Sequence, residues 1–203
     1  TADVYLAYVD SSIGARVQKG TLGATSISWG SATTADADTG DLNINISRDS
    51  NGKLWIIYKD IDTTSNRIYA QRSTNANDVS AWDAQVTVSS QLSSSGTLNT
   101  PAIVPLDTSG DMYFAWIRTV TASSTLNVFG ARWDDSVPGL LGSDTLLSYL
   151  GAGITSVGVS LASAPGDVVH ALYRYVDNAA TYVLEYATYS GGAWGSPVTL
   201  DTD

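Results

Sequence analysis

The chain has 203 residues, 43% of them hydrophobic and 15% charged, with no cysteine and a formal net charge of −10. The missing cysteines exclude disulfides, thiol catalysis and cysteine-type zinc sites, and the acidic balance excludes nucleic acid, whose phosphates need clustered Lys and Arg. No run of eighteen apolar residues occurs, so no membrane insertion by a helix is expected. The length suits a single domain over residues 1–203. Nineteen of the acids are Asp and one is Glu185. Asp is a turn residue whose short carboxylate bonds nearby backbone, so the excess reads as acidic turns or as calcium loops. Few Lys and many Ser, Thr and Asn suit an extracellular or cell-surface protein. The start at Thr1 without an apolar leader sets the expectation that a leader was removed or the ends were trimmed.

In chain order, Val4-Tyr5-Leu6-Ala7-Tyr8-Val9-Asp10 is the first apolar run, and its β-branched and aromatic residues predict a strand. Ile13 to Lys19 and Ser31 to Ala35 complete a first repeat, about residues 1–40. The second, about 41–95, reads Leu42 to Arg48, a turn at Asn51-Gly52, Leu54 to Asp60, Arg67 to Ser73 and Ala84 to Ser89. The third, about 96–150, reads Ala102 to Leu106, Ser109-Gly110, Met112 to Arg118, Asn127 to Trp133 and Asp144 to Tyr149. The fourth, about 151–203, reads Ser156 to Ala162, Pro165-Gly166, Val169 to Tyr175, Tyr182 to Tyr189 and Ser196 to Leu200. Alternation is plain in Leu42, Ile44, Ile46 and in Val157, Val159, Leu161. Helix content should be near zero.

The aromatics Tyr8, Tyr58, Trp116 and Tyr173 recur at spacings of 50, 58 and 57 residues. Trp29, Trp82 and Trp194 keep the same phase, at 53 and 112. A period in the fifties with four antiparallel strands describes one blade of a β-propeller. A blade cannot bury both faces alone, so the ring series is expected to pack neighbouring blades together. The first repeat starts at its second strand, and only Asp201-Thr202-Asp203 follows the last, which leaves fifteen strands. The chain is therefore expected to be a segment of a larger propeller, or to take the missing strand from a neighbouring chain.

Ile46-Ser47-Arg48-Asp49-Ser50-Asn51-Gly52-Lys53-Leu54-Trp55-Ile56-Ile57-Tyr58, followed by Arg67-Ile68-Tyr69-Ala70-Gln71-Arg72-Ser73, resembles the repeat unit of sialidase-like (BNR-type) β-propellers. Ala193-Trp194-Gly195-Ser196-Pro197-Val198-Thr199-Leu200 is similar to their last strand. The resemblance runs through the chain and implies a fold, since such repeats serve hydrolases, lectins and adhesins alike. The family's Asp-box, Ser/Thr-x-Asp-x-Gly-x-Thr-Trp, lies between third and fourth strands. Here Ser47-x-Asp49-x-x-Gly52-x-x-Trp55 is one residue longer and lies between first and second. Catalytic members of the family use three arginines, a Tyr–Glu pair and an acid Asp. No Arg-Ile-Pro signature occurs, and Glu185 is flanked by Tyr186, on the opposite face of a strand. No catalytic residue is carried over.

The ligand candidates follow the second strands. Asp10, Asp60, Asp62, Arg118, Arg174 and Tyr175 belong to loops that share one face of a propeller, where they form either a binding mouth or a solvated rim. Trp29, Trp82 and Trp194 open the outermost strands, as packing or as sugar platforms. Asp36, Asp38 and Asp41 form a weak calcium candidate, one residue off the EF-hand pattern, and no other cofactor is implied. His170, the sole histidine, occupies a packing position. The sequon Asn45-Ile46-Ser47 falls inside an expected strand and is set aside. The leading expectation is a secreted or surface-displayed binding or adhesion module that recognises a glycan or a protein at its loop face. The alternatives are part of a sialidase-like glycoside hydrolase, which needs paired carboxyls, and a structural subunit completed by strand exchange.

Overall fold

The computed structural model describes residues 2–61, 66–91, 98–108, 110–120, 125–137, 145–152, 155–177 and 179–203, and every regular element among them is a strand. Four antiparallel sheets follow one another along the chain. Sheet 1 holds β1 (Ala2–Asp10), β2 (Gly14–Leu22), β3 (Ile27–Trp29) and β4 (Thr33–Thr34). Sheet 2 holds β5 (Asp41–Arg48), β6 (Leu54–Ile61), β7 (Asn66–Arg72) and β8 (Val86–Gln91). Sheet 3 holds β9 (Leu98–Pro105), β10 (Met112–Val120), β11 (Thr125–Trp133) and β12 (Thr145–Ala152). Sheet 4 holds β13 (Thr155–Ala164), β14 (Val168–Val176), β15 (Tyr182–Ser190), β16 (Ala193–Trp194) and β17 (Val198–Thr202).

Among the described residues seventeen strands replace the expected fifteen, because the outermost strand of sheets 1 and 4 is broken. β3 and β4 both pair with β2, and β16 and β17 both pair with β15. In sheet 4 the gap contains Pro197, which has no N–H to offer a ladder. Sheet 2 carries a relic of the same break, an isolated bridge from Ser73 to Trp82 ahead of β8. Sheet 1 begins at β1, and β1 pairs only with β2 among the described residues. Nothing there corresponds to β5, β9 and β13.

The turns between first and second strands form where the glycines predicted them. Gly52 and Gly110 adopt φ of +82° and +79°, a region that a side chain disfavours. Asp49 secures the first of these turns. Its carboxylate accepts the N–H groups of Asn51 (2.9 Å) and Lys53 (2.8 Å) and the indole N–H of Trp55 (3.0 Å). The residue that carries the Asp-box likeness is thus a buried turn cap.

Side-chain alternation assigns each sheet two faces. Leu54, Ile56 and Tyr58 pack towards sheet 1, with Tyr5, Ala7, Ala15 and Val17. Trp55 and Ile57 pack towards sheet 3, with Met112, Phe114 and Trp116. Tyr113, Ala115 and Ile117 pack towards sheet 4, with Val169, Ala171 and Tyr173. Three of the four rings have the expected role: Tyr58, Trp116 and Tyr173 are fully buried, each against the preceding sheet, whereas Tyr8 of sheet 1 is half-buried. A ladder of cations joins the sheets at their turns. Lys19 donates to Asn77 O (3.0 Å), Arg72 pairs with Asp135, and Arg132 reaches Asp167 at 3.0 Å. These cations are register partners of Tyr5, Trp55 and Tyr113.

Candidate functional site

The turn end of the stack is tied together by Gly110 N–H on Ser50 Oγ (2.9 Å) and Thr108 N–H on Asp167 (2.8 Å). The last residues of the second strands therefore lie at the opposite end. There Asp41, first residue of β5, stands across from Asp60, near the end of β6. Asp41 is fully buried. One of its oxygens accepts the N–H of Ala15 from sheet 1 at 2.9 Å, and the other has no hydrogen-bond partner among the described residues. Burial, then the charge of Asp36 and, less strongly, of Asp60 and Asp38, push this carboxyl from 3.8 to about 7.

The loop before β5 is shaped by its own carboxylates. Asp36 accepts the N–H of Asp38 (3.2 Å), and Asp38 accepts that of Gly40 (2.8 Å). Tyr58 Oη donates to Asp36 at 2.7 Å, and Gln85 Nε2 donates both to Tyr58 Oη (2.8 Å) and to Asp36. Burial and the Asp36 charge push the Tyr58 phenol far up, so it stays protonated. The loop lies so close to the β1–β2 hairpin that a Cβ on Gly14 would come within 2.4 Å of Asp36 O. Asp10 closes the neighbouring hairpin. It accepts Ser12 Oγ (2.7 Å) and Ser12 N–H (3.0 Å), which hold its carboxyl below the usual range, and Arg16 stands 4.0 Å away.

The structure thus gathers Asp10, Asp36, Asp38, Asp41 and Asp60 at one end of the contact between sheets 1 and 2. Asp10 and Asp60 were expected at this mouth, whereas Asp36, Asp38 and Asp41 were singled out only for calcium. Among the described residues no three His, Cys, Asp or Glu side chains form a metal-holding group. Asp62 lies outside the described residues. Arg118 lies over the Phe129 ring (4.0 Å) and Arg174 over Tyr182 (5.6 Å), so each covers a ring of its own sheet.

Tyr175 holds a contact that sequence reasoning missed. Its Oη donates to Glu185 Oε1 at 3.2 Å, and burial together with the Glu185 charge pushes the phenol up to about 12. Glu185 pairs in register with Tyr173, so Tyr175 is a diagonal neighbour on the same face. That register depends on the Asp177–Thr181 turn, which no hydrophobic pattern encodes. The tryptophan series divides. Trp82 packs between sheets 1 and 2 and donates to Val79 O (3.1 Å), while Trp194 donates to Tyr113 Oη (2.6 Å) with the rings edge-on. Trp29, opposite Gly20 in register, is 43% exposed. His170 is half-buried, stacked on Tyr186 with Nδ1 2.5 Å from its hydroxyl.

No protein-family profile and no curated protein matches this sequence. Solved structures do. An endo-arabinase from Bacteroides thetaiotaomicron is similar with a TM-score of 0.60 and 13% identity, over 99% of this chain and 77% of that one. A Hadza microbial sialidase gives 0.59 and 12%, over 81% of this chain and 38% of that one. A polysaccharide lyase of family PL25, an ulvan lyase, gives 0.60 and 9%, over 92% of this chain and 49% of that one. The chain thus spans less than half the length of the sialidase and about half that of the lyase. What all three share with this chain is the fold, that of the β-propellers.

Proposed function

We propose that the chain is a carbohydrate-recognising unit of four propeller blades, displayed outside the cell, with its ligand held along the acidic end of the second strands. The observation that carries this reading is the meeting of Asp36, Asp38 and Asp60 with the buried Asp41. Carboxylates accept paired sugar hydroxyls through charge-assisted hydrogen bonds. Asp41, fully buried behind them, keeps its proton up to about pH 7 and so adds no further charge to the cluster. The likeness to propellers titled sialidase, endo-arabinase and ulvan lyase supports a glycan over a protein ligand. Neutral glycans suit this end better than acidic ones, which its charge repels.

Calorimetric titration with arabinan, a sialylated oligosaccharide and ulvan tests the proposal. Binding of the neutral polymer, weakened tenfold or more in Asp60→Asn, is expected. No binding to any of the three, or unchanged binding in the variant, overturns it. A second reading, glycoside hydrolysis, is favoured by the Tyr175–Glu185 hydrogen bond, the kind of pair that a tyrosine nucleophile needs. It predicts turnover of a chromogenic sialoside that is lost in Glu185→Gln.

A further inference from the structure

The residue after the ring of the second strand is Val9 in β1, Lys59 in β6 and Ile117 in β10. In β6 it alternates with Trp55 and Ile57, whose side chains pack towards sheet 3. A lysine thus points into a contact where the neighbouring strands carry an aliphatic side chain. Lys59 is only 6% exposed, and its amine has no hydrogen-bonding or ionic partner among the described residues. Burial holds that amine below the usual lysine range. Its row of sheet 2 runs through Ile68 to Ser89, and Ile68 shares a buried cluster with Trp116 and Phe129 of sheet 3. One step further out, Arg118 stands opposite Asn127 in register, with its guanidinium over the Phe129 ring. Three polar atoms on these rows are buried without a hydrogen-bond partner among the described residues: Ser89 Oγ, Trp116 Nε1 and Asn127 Oδ1. Folded chains leave few such groups unpaired, and here they share one end of one contact with an unpaired amine.

The contact between sheets 1 and 2 shows what completes such an end. There the ring at the Trp116 position is Tyr58, and its hydroxyl is met by the Asp36 carboxylate and by Gln85. Asp36 belongs to the connection that leads into β5. The connection that leads into β9, residues 92–97, contains no acidic residue, and Lys59 and Arg118 take the positions of Val9 and Asp60. The chain supplies a carboxylate to one contact and, to the next, a cation and donors suited to receive one. We propose that the sheet 2–sheet 3 contact binds a small monocarboxylate at the end away from the turns, with the Lys59 amine as its counter-charge and the Trp116 indole N–H and the Ser89 hydroxyl as further donors. Hydrogen bonds between an ammonium and a carboxylate are among the strong ones. Entry needs a shift of the Lys59 stem, which its four rotatable carbons allow. The net charge of −10 disfavours polyanions, so the ligand is a single small acid, free or carried on a sugar ring. The site is separate from the acidic end between sheets 1 and 2 and does not rest on the glycan reading.

The test follows the Trp116 indole N–H, assigned through Trp116→Phe, by proton–nitrogen NMR of the 203-residue chain. The chain is titrated with sodium acetate, sodium glucuronate, glucose and sodium chloride. A carboxylate is expected to shift the signal saturably, and glucose and chloride to leave it in place. Lys59→Met, similar in length, should weaken carboxylate binding about tenfold or more, as loss of a charge-assisted hydrogen bond implies. Circular dichroism checks that this variant keeps its sheets, and it should be no less stable than the wild type, since it removes an unpaired buried charge. Ser89→Ala leaves the cation in place and should weaken binding by a smaller factor. Acetate binding as tightly as glucuronate assigns the site to free acids, and tighter glucuronate assigns it to acidic sugars. No shift with either carboxylate, an equal shift with glucose or chloride, or undiminished binding in either variant overturns the proposal.

Discussion

The contact between sheets 2 and 3 and the contact between sheets 1 and 2 use the same strand positions and end up chemically unlike. Between sheets 2 and 3, Trp55 lies 4.9 Å from Trp133 and 5.8 Å from Phe114, and Arg72 lies over both indoles at 5.5 and 5.7 Å. Large rings line that contact, beside a concavity of about 510 Å³ bounded by Trp55, Arg72, Val86 and Trp133. Between sheets 1 and 2 the residues from β2 are Ala15 and Val17, and β1 adds Ala7 and, towards the turn end, Tyr5. Small side chains leave room at the end of the contact, and Asp41, Tyr58 and Asp36 occupy it. The comparison teaches that one blade position serves either stability or chemistry according to how much volume its neighbour supplies.

The largest expected effect breaks the filled contact. Trp55→Ala removes a fully buried ring and should cost about 3–5 kcal/mol in urea unfolding, and a much smaller loss would mean that this contact does not organise the fold. Asp41→Asn acts on the other contact. The folded carboxyl titrates at about 7, above its ordinary 3.8, so the folded state keeps a proton that the unfolded chain releases between those values. Wild-type stability therefore falls as pH rises from about 4 to 7, by roughly 2–4 kcal/mol. The variant, whose amide oxygen still accepts the Ala15 N–H, should lack this dependence. Thermal melts at pH 5 and pH 8 measure the difference, and a wild type equally stable at both excludes a shifted Asp41.

The tryptophan series sharpens the comparison at lower energies. Tyr113→Phe takes the acceptor from the Trp194 indole and should cost about 1 kcal/mol. Trp29→Ala should change stability by less than about 0.5 kcal/mol, since surface substitutions rarely do more. Equal losses at the two sites would mean that Trp29 is covered in solution.

The repeat, the strand order and the glycine turns were legible because each is local: a period of rings, an alternation, a φ that only Gly tolerates easily. Tyr58, Trp116 and Tyr173 could be assigned to sheet packing from spacing alone. The candidate site was legible only in part. Asp10 and Asp60 follow from strand ends, but Asp41 depends on an N–H donated by Ala15, 26 residues earlier in the chain. Tyr175 and Glu185 meet through a register set by a loop. The likeness of Asp49 to an Asp-box implied a fold and no chemistry, and its three accepted hydrogen bonds show a turn being closed. Composition gives which groups are present, whereas long-range hydrogen bonds decide which of them share a proton.

The broken outermost strand has a consequence for how the molecule meets its surroundings. A long, straight sheet edge is a template on which foreign chains can add strands and grow fibrils. Here the outer rims of sheets 1 and 4 offer only pieces, two or three residues at β3, β4 and β16 and five at β17. A segment docking there runs out of partners within a few peptide units and gains little by staying. Along sheets 1 and 4 the outer edge is thereby a poor template for strand addition, and Asp201 adds a charge to its longest piece.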